Sequence, residues 1–194
     1  MGKSLLGTLE TGLPGGQLPV TGHDDGRQPQ LCGDVDIRIA RDGTWFYHGS
    51  PIGRKPLVKL FASVLRRDAD GAYWLITPAE QCRIRVDDAP FTAVEMSVEG
   101  EGHNRLLTFR TNVDENVNAG PDHPIRVVTD PATGEPSPYI YVRDGLEALI
   151  VRSVFYDLVE LGVEESQPGG GRTLGVWSGG MFFALGEIGD AGEV

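Results

Sequence analysis

The feature that most constrains the fold of this chain is a strand–turn–strand–helix order that occurs twice along its length. Residues 34–39 alternate polar and apolar side chains, the pattern of a half-buried strand, and Arg41-Asp42-Gly43 follows as a turn. Residues 45–47 then predict the return strand of a hairpin. The same tripeptide recurs as Arg143-Asp144-Gly145 after a strand predicted at residues 139–142.

An amphipathic helix is predicted after the first hairpin. Its apolar side chains lie on one face and are Leu57, Leu60, Phe61, Val64 and Leu65. Pro56 suits the first turn of this helix, where a missing N–H costs nothing. Arg66 and Arg67 are expected at its C-terminal end, where the helix dipole favours cations. A strand at residues 73–76 follows.

The second hairpin is also followed by a predicted helix. Ser153 is its predicted N-cap, and Phe155, Leu158 and Val159 form its apolar face. Gly162 is placed to end it, and a strand around residues 174–177 comes next. Order and element type agree with the first unit, which favours a structural duplication. The alternative is two unrelated hairpin–helix pieces.

The domain organisation follows from the signals between these units. Strands are predicted at residues 82–86, 91–98, 106–110 and 125–128. We therefore expect an α+β fold with duplicated hairpin–helix–strand units in two small domains. Residues 1–30, rich in glycine and proline, predict a flexible tail. Residues 31–88 form the N-terminal α+β domain, and residues 89–194 form a β-rich C-terminal domain.

Charge and composition exclude several classes of function. The net charge of −11 arises after Asp88, because the chain up to that residue has equal numbers of acidic and basic side chains. Such an acidic half repels phosphate backbones, which argues against general nucleic-acid binding. No long apolar run predicts a membrane span, and the N-terminus does not resemble a signal peptide. Cys32 and Cys82 are interpreted as reduced thiols. Together with the absence of a predicted signal peptide and membrane span, this predicts a cytoplasmic protein.

The segment that carries most of the polar chemistry is the predicted loop at residues 111–124. It concentrates asparagines, acids and a histidine between two strands, and long loops are often functional. The alternative is a structural loop in which Asn and Asp bond their own backbone. On the functional hypothesis, the ligand-binding side chains on and around this loop are Arg110, Asn112, Asp122, His123, Arg126 and Arg143. Arginine suits a carboxylate or phosphate group.

Metal binding and catalysis have weaker signals. Asp114 and Glu115, together with Asp122 and His123, contain suitable donors but lack the spacing of an EF-hand or a zinc helix. Asp34 and Asp36 share a strand face with an arginine, and His48 is expected to be a packed or capping histidine. We predict no metal site, no cofactor and no catalytic residue. The enzyme question is left open, with a non-enzymatic function favoured.

Several blocks of the sequence resemble a bacterial family known as domain of unknown function 1285. The blocks are Gly33-Asp34-Val35-Asp36-Ile37, Phe109-Arg110-Thr111-Asn112, Ala119-Gly120-Pro121-Asp122-His123-Pro124, Tyr141-Val142-Arg143-Asp144-Gly145-Leu146-Glu147-Ala148-Leu149 and Phe155-Tyr156-Asp157-Leu158-Val159. The resemblance spans roughly residues 31–185. It implies a duplicated α+β core, a second domain superficially like a pleckstrin-homology fold, and a signalling role with a ligand between the domains.

The functional hypothesis that follows is a cytoplasmic ligand-binding or regulatory module. A small molecule or peptide would occupy a polar site at the interdomain cleft, where ligand sites commonly occur. The first alternative is a protein-interaction module or homodimer without a small-molecule ligand. A second is a metal-assisted hydrolase that uses Asp122 and His123.

Overall fold

The computed structural model describes residues 30–166 and 171–188, and this part of the chain is mostly β. It contains fifteen strands and two α-helices. The contacts divide it into two compact units. One unit contains residues 30–38 and Phe46–Arg85, and the other contains Ile39–Trp45 and the chain from Val86 onward. The predicted flexible tail lies outside the described residues, apart from Gln30, which begins the first strand.

A six-stranded sheet and one helix form the first unit. The elements are β1 (Gln30–Ile39), β2 (Trp45–Tyr47), β3 (Ser50–Pro51), α1 (Lys55–Ser63), β4 (Leu65–Arg67), β5 (Tyr73–Ile76) and β6 (Glu80–Val86). The strand order is β3-β2-β1-β6-β5-β4. The core is apolar: Leu57 and Phe61 of α1 are buried, as are Ile37, Leu75 and Ile84 of the sheet. The predicted hairpin, helix and following strand are thus all present.

Helix α1 is shorter than its apolar stripe predicts. It ends at Ser63, and Leu65 begins β4 opposite Leu75. The prediction that Arg66 and Arg67 close the helix is therefore wrong, since both belong to β4. Leu65 is buried in the strand as it would be in the helix, so burial does not distinguish the two. Pairing with β5 provides hydrogen-bond partners for the backbone N–H and C=O groups of residues 65–67, and this favours the strand over the helix.

The two cysteines form a disulfide, which corrects the interpretation of both as reduced thiols. Cys32 lies in β1 and Cys82 in β6, and these strands are neighbours in the sheet. Their Cα atoms are 5.2 Å apart. The sequence separation misled the prediction, because a sheet brings together residues that are distant in the chain. The pairing also removes one observation behind the predicted cytoplasmic location, which itself stays a prediction.

A second six-stranded sheet forms the main layer of the other unit. Its strands are β7 (Phe91–Glu99), β8 (Leu106–Thr111), β9 (Asn116–Asn118), β10 (Ile125–Thr129), β11 (Pro136–Arg143) and β12 (Leu146–Ile150). The order is β10-β11-β12-β7-β8-β9. The sheet is mixed, because β12 pairs with β7 in parallel and the other neighbours are antiparallel. Strand β9 lies inside the segment that the sequence predicts to be a loop.

The chain then forms helix α2 (Arg152–Glu160) and a three-stranded antiparallel sheet of β13 (Val163–Ser166), β14 (Arg172–Ser178) and β15 (Met181–Ile188). The predicted N-cap is wrong, because Val151 holds that position and Ser153 lies inside the helix. The reason is that the Val151 N–H still donates to the Ala93 carbonyl, so sheet bonding continues until the helix begins. Phe155 and Leu158 are buried as predicted.

The balance of elements changes the predicted fold class. Hairpin, helix and strands follow one another in both units, but α1 and α2 are short and β-strands dominate the described residues. The fold is therefore mostly β, with two helices. Neither helix in the described ranges is long and apolar enough to cross a membrane.

Candidate functional site

The polar segment after β8 is folded as a hairpin rather than as an open loop. The Thr111 N–H donates to the Glu115 carbonyl at 2.9 Å, and the Glu115 N–H donates to Thr111 Oγ1 at 3.1 Å. Asp114 takes a left-handed conformation at the turn, with φ of 61°. Strand β9 then pairs with β8. Some polar groups of this segment therefore form hydrogen bonds within the segment itself and stabilise its turn.

Two of the predicted ligand-binding arginines are bound to carboxylates on neighbouring strands. Arg110 donates to Glu95 at 2.5 and 2.7 Å and to Asp114 at 3.1 Å. Arg126 forms a bidentate pair with Glu147, both bonds being 2.6 Å. The hydrogen bond with Glu95 raises the pKa of Arg110, and that with Glu147 raises the pKa of Arg126. Both guanidinium groups therefore remain charged and oriented along the sheet.

Asn112 and Arg143 also make contacts within the second unit. The Asn112 amide donates to the Gly43 carbonyl at 3.1 Å, and its carbonyl oxygen accepts from the Thr92 N–H at 3.2 Å. Arg143 Nε lies 3.3 Å from Glu115, and its guanidinium lies over the Phe91 ring. The two hydrogen bonds of Asn112 therefore join the turn at residues 39–45 to strand β7.

Asp122 and His123 are the two predicted residues that the structure brings into one concave site. They line a cavity of about 370 Å³ together with Asn116 and Asn118. The other four predicted residues do not line it. The prediction that all six bind a ligand stays a prediction, and only this pair shares a cavity among those that we describe.

A second cavity, of about 360 Å³, contains two arginines that the sequence reasoning did not select. We call it the arginine pocket. Its lining residues are Arg41, Glu135, Pro136, Ser137, Pro138, Leu149, Ile150, Val151, Arg152, Phe155 and Tyr156. They come from the 39–45 turn, strands β11 and β12, and the first turn of α2. All of them belong to the second unit.

Arg41 is held in the arginine pocket by two groups. Its Nη2 donates to Ser137 Oγ at 2.9 Å, and its Nε lies 3.3 Å from Asp88 Oδ2. Asp88 in turn accepts from the Tyr139 hydroxyl at 2.8 Å. Burial, followed by this hydrogen bond to Asp88, raises the pKa of Tyr139, so the phenol stays protonated and continues to donate. The carboxylate that orients Arg41 is thus itself fixed in place.

Arg126 adds a further layer to this support. Its guanidinium lies 4.4 Å from the centroid of the Tyr139 ring, within the range of a cation–π contact. One of the predicted binding residues therefore touches the pocket only through Tyr139 and Asp88. Its predicted role in ligand binding stays a prediction.

Arg152 lies on another side of the pocket, at the start of α2. Its Nη2 donates to Glu135 at 2.9 Å, and its side chain is 72% exposed. The N-cap residue, Val151, makes no side-chain cap, and the first turn of the helix contains no acidic residue. The N–H groups of that turn have no intrahelical acceptor, and the helix dipole adds partial positive charge there.

Apart from Glu135 and Ser137, the other side chains that line the arginine pocket are largely apolar. Pro136, Pro138 and the end of β12 supply aliphatic surface, and Phe155 is buried behind it. Tyr156 also lines the pocket and is 58% exposed. A ligand in this pocket would contact the arginine guanidinium groups and the apolar side chains at the same time.

The candidate metal ligands are dispersed in the structure. Within residues 30–166 and 171–188, no group of three or more His, Cys, Asp or Glu side chains is close enough to hold a metal ion. Asp36 lies 3.3 Å from His48 and 3.9 Å from Arg85 of the neighbouring strand β6, so its carboxylate is paired with an arginine. His48 is at a turn with φ of 46°.

Comparisons with known proteins show what this chain is similar to. Residues 25–89 match the family model "Domain of unknown function (DUF1285), N-terminal domain", and residues 90–185 match the C-terminal domain model of the same family. No curated protein is similar enough to count as a match.

Two crystal structures of DUF1285 family proteins are similar to the whole chain or to much of it. The protein from Silicibacter pomeroyi DSS-3 is 47% identical, with a TM-score of 0.78, and 97% of each chain is covered. The protein from Shewanella baltica OS155 is 28% identical, with a TM-score of 0.51, over 64% of this chain and 90% of that one. The sequence blocks quoted above thus reflect a true relationship, and this chain belongs to the DUF1285 family, with both its N-terminal and its C-terminal domain.

Proposed function

We propose that this protein is a ligand-binding regulatory module whose arginine pocket takes a small organic anion. The observation that carries the proposal is that Arg41 and Arg152 line one concave surface, together with one carboxylate, Glu135, and several apolar side chains. Guanidinium groups bind carboxylate and phosphate oxygens through paired hydrogen bonds, and such charge-assisted bonds are stronger than neutral ones.

The contacts of Arg41 leave it able to bind a ligand. A guanidinium carries five N–H donors; Nη2 donates to Ser137, and Nε lies beside Asp88 as an ion pair. These contacts fix the plane of the group, so a ligand oxygen meets an oriented donor. Orientation before binding reduces the entropy that binding would otherwise cost.

The apolar side chains that line the pocket indicate which class of anion it binds. Inorganic phosphate or sulfate would leave Phe155, Tyr156 and the prolines without a partner, whereas an aryl or alkyl carboxylate would cover them. The cavity volume of about 360 Å³ lies in the range of small-molecule sites. We therefore expect organic carboxylates or phosphates that have an aromatic or branched aliphatic body.

Thermal unfolding of the full chain tests this function, with benzoate, phenyl phosphate and inorganic phosphate as test ligands. A ligand at about 100 times its dissociation constant adds roughly 2.7 kcal/mol to the free energy of unfolding. At roughly 2–4 °C per kcal/mol, the midpoint should rise by about 5–10 °C with benzoate or phenyl phosphate. Inorganic phosphate should have a much smaller effect.

Substitutions of the two pocket arginines test whether the ligand-induced shift of the unfolding midpoint arises in this pocket. Arg41→Ala and Arg152→Ala should each reduce the ligand-induced shift, and the double variant should abolish it. Arg172→Ala is the matched control, because Arg172 is also half-exposed and paired with a glutamate but lies outside the pocket. An unchanged shift in the double variant, or no shift with any test ligand, would rule out this pocket as the site.

Signalling, the cytoplasmic location, the interdomain site and the domain boundaries at residues 30 and 88 stay predictions. So does the alternative of a protein-interaction module or homodimer, which sedimentation at several concentrations tests. The metal-assisted hydrolase with Asp122 and His123 stays the least favoured alternative.

We also propose that the chain contains a duplicated unit. Each copy would comprise a hairpin, a short helix and an antiparallel strand set, and Arg-Asp-Gly stands at both hairpin turns. Support comes from β4–β6 and β13–β15, which follow the two helices in the same order. The pleckstrin-homology-like character of the C-terminal domain stays a prediction. An experimental structure in which the two segments fail to superpose would contradict the duplication.

A further inference from the structure

The cavity that contains Asp122 and His123 differs chemically from the arginine pocket. We call it the amide cavity, after Asn116 and Asn118 of β9, which line it with those two residues. The remaining lining is Leu106, Ala119, Gly120, Pro121 and Gly179. No lysine or arginine lines it, and it holds one carboxylate, so its charge does not favour an anion.

The floor of the amide cavity is rigid. Ser178 is fully buried, donates to the Ala119 carbonyl at 2.7 Å and accepts from the Leu107 N–H at 2.9 Å. Gly179 packs so closely that an added Cβ would lie 3.0 Å from the same carbonyl oxygen. Groups on such a fixed floor need little ordering when a ligand binds.

The turn that carries Asp122 and His123 is also closed by its own backbone. The Gly120 N–H donates to the His123 carbonyl at 3.2 Å, and the His123 N–H donates to the Gly120 carbonyl at 3.1 Å. Both side chains therefore leave a short, fixed turn next to β9. Their position does not depend on a flexible loop.

The contact of His123 with a backbone carbonyl indicates which ring nitrogen carries the proton. Its Nδ1 lies 3.2 Å from the Tyr141 carbonyl oxygen, which accepts hydrogen bonds and cannot donate them. Nδ1 must therefore carry a proton, and in the neutral imidazole Nε2 is an acceptor. Asp122 is exposed beside it and is a second acceptor.

The two asparagines supply the complementary donors. Asn118 Oδ1 accepts from the Thr108 hydroxyl at 2.9 Å, which leaves the amide N–H groups of Asn118 to donate. Asn116 is exposed at the other end of the same three-residue strand and carries one carbonyl acceptor and two N–H donors. The cavity thus presents donors and acceptors together.

From this arrangement we infer that the amide cavity binds an uncharged, hydroxyl-rich ligand, such as a monosaccharide or a cyclitol. Each hydroxyl both donates and accepts, so neighbouring hydroxyls can donate to Asp122 and to His123 Nε2 and accept from Asn116 and Asn118. An anion would be repelled by Asp122. This site is separate from the arginine pocket and does not rest on its ligand.

The test is titration of the isotope-labelled full chain with D-glucose and with myo-inositol, followed by NMR. We expect the His123 ring signals and the Asn116 and Asn118 side-chain amide signals to shift with at least one of them. Asn116→Ala should weaken that binding by about threefold to tenfold, the loss expected for one net hydrogen bond. Asp122→Asn, which keeps the shape but replaces an acceptor by a donor, should weaken it similarly.

Asn104→Ala is the control, since Asn104 is also an exposed asparagine but does not line the cavity. Its affinity for the sugar or cyclitol should equal that of the unmodified chain. The inference is overturned if neither compound moves these signals, or if both variants bind as well as the control. It is equally overturned if benzoate shifts these signals and the two hydroxyl compounds do not.

Discussion

Reduction of the Cys32–Cys82 disulfide is expected to lower the free energy of unfolding by about 2–4 kcal/mol, the usual contribution of such a bond. The bond joins residues that are 50 positions apart, so it restricts a large loop in the unfolded chain. At roughly 2–4 °C per kcal/mol, the midpoint of thermal unfolding should fall by about 5–15 °C on reduction. Denaturant unfolding with and without reductant measures the difference.

The Cys32→Ala/Cys82→Ala double variant is the control for this prediction. Its stability should be close to that of the reduced protein and should not respond to reductant. A thiol titration of protein purified without reductant provides an independent measurement. Two reactive thiols in the folded chain, with no effect of reductant on stability, would contradict the pairing of β1 with β6 through this bond.

The strands are the part of the fold that the sequence predicts well. Residues 34–39, which alternate polar and apolar side chains, lie in β1, and the strands predicted at residues 73–76 and 106–110 are β5 and β8. The end of α1 was predicted wrongly because Leu65 continues the helical spacing and is also buried in β4. When the same apolar residues fit both a helical and a strand period, pairing with a neighbouring strand determines which element forms. That neighbouring strand cannot be identified from the local sequence.

The candidate sites show the same limitation for polar residues. Arg110 stands directly opposite Glu95 in the register of β7 and β8, and that register decides that the arginine is paired. Asp122 and His123 are adjacent in the chain, so sequence reasoning could group them. Arg41 and Arg152 are far apart in sequence and meet only through the fold, which explains why the arginine pocket was missed.

Gly43→Ala is expected to lower the free energy of unfolding by about 2–4 kcal/mol, because two separate costs add at this buried position. Gly43 has φ of 81°, a conformation that costs an L-residue about 1–2 kcal/mol. An added Cβ would also lie 2.6 Å from Asn112 Nδ2 and 3.0 Å from Thr92 Oγ1. Asn112 would have to move away from the Gly43 carbonyl that it now holds, which breaks a hydrogen bond.

Gly134→Ala separates these two costs. Gly134 has φ of 71° in a turn, but an added Cβ there would meet nothing within 4 Å, so only the backbone cost of about 1–2 kcal/mol applies. Urea unfolding of both variants measures the difference, which is the cost of displacing Asn112. If Gly43→Ala is no more destabilising than Gly134→Ala, Asn112 does not clamp the 39–45 turn. Arg41, two residues before Gly43, would then owe its position to Ser137 and Asp88 rather than to Asn112.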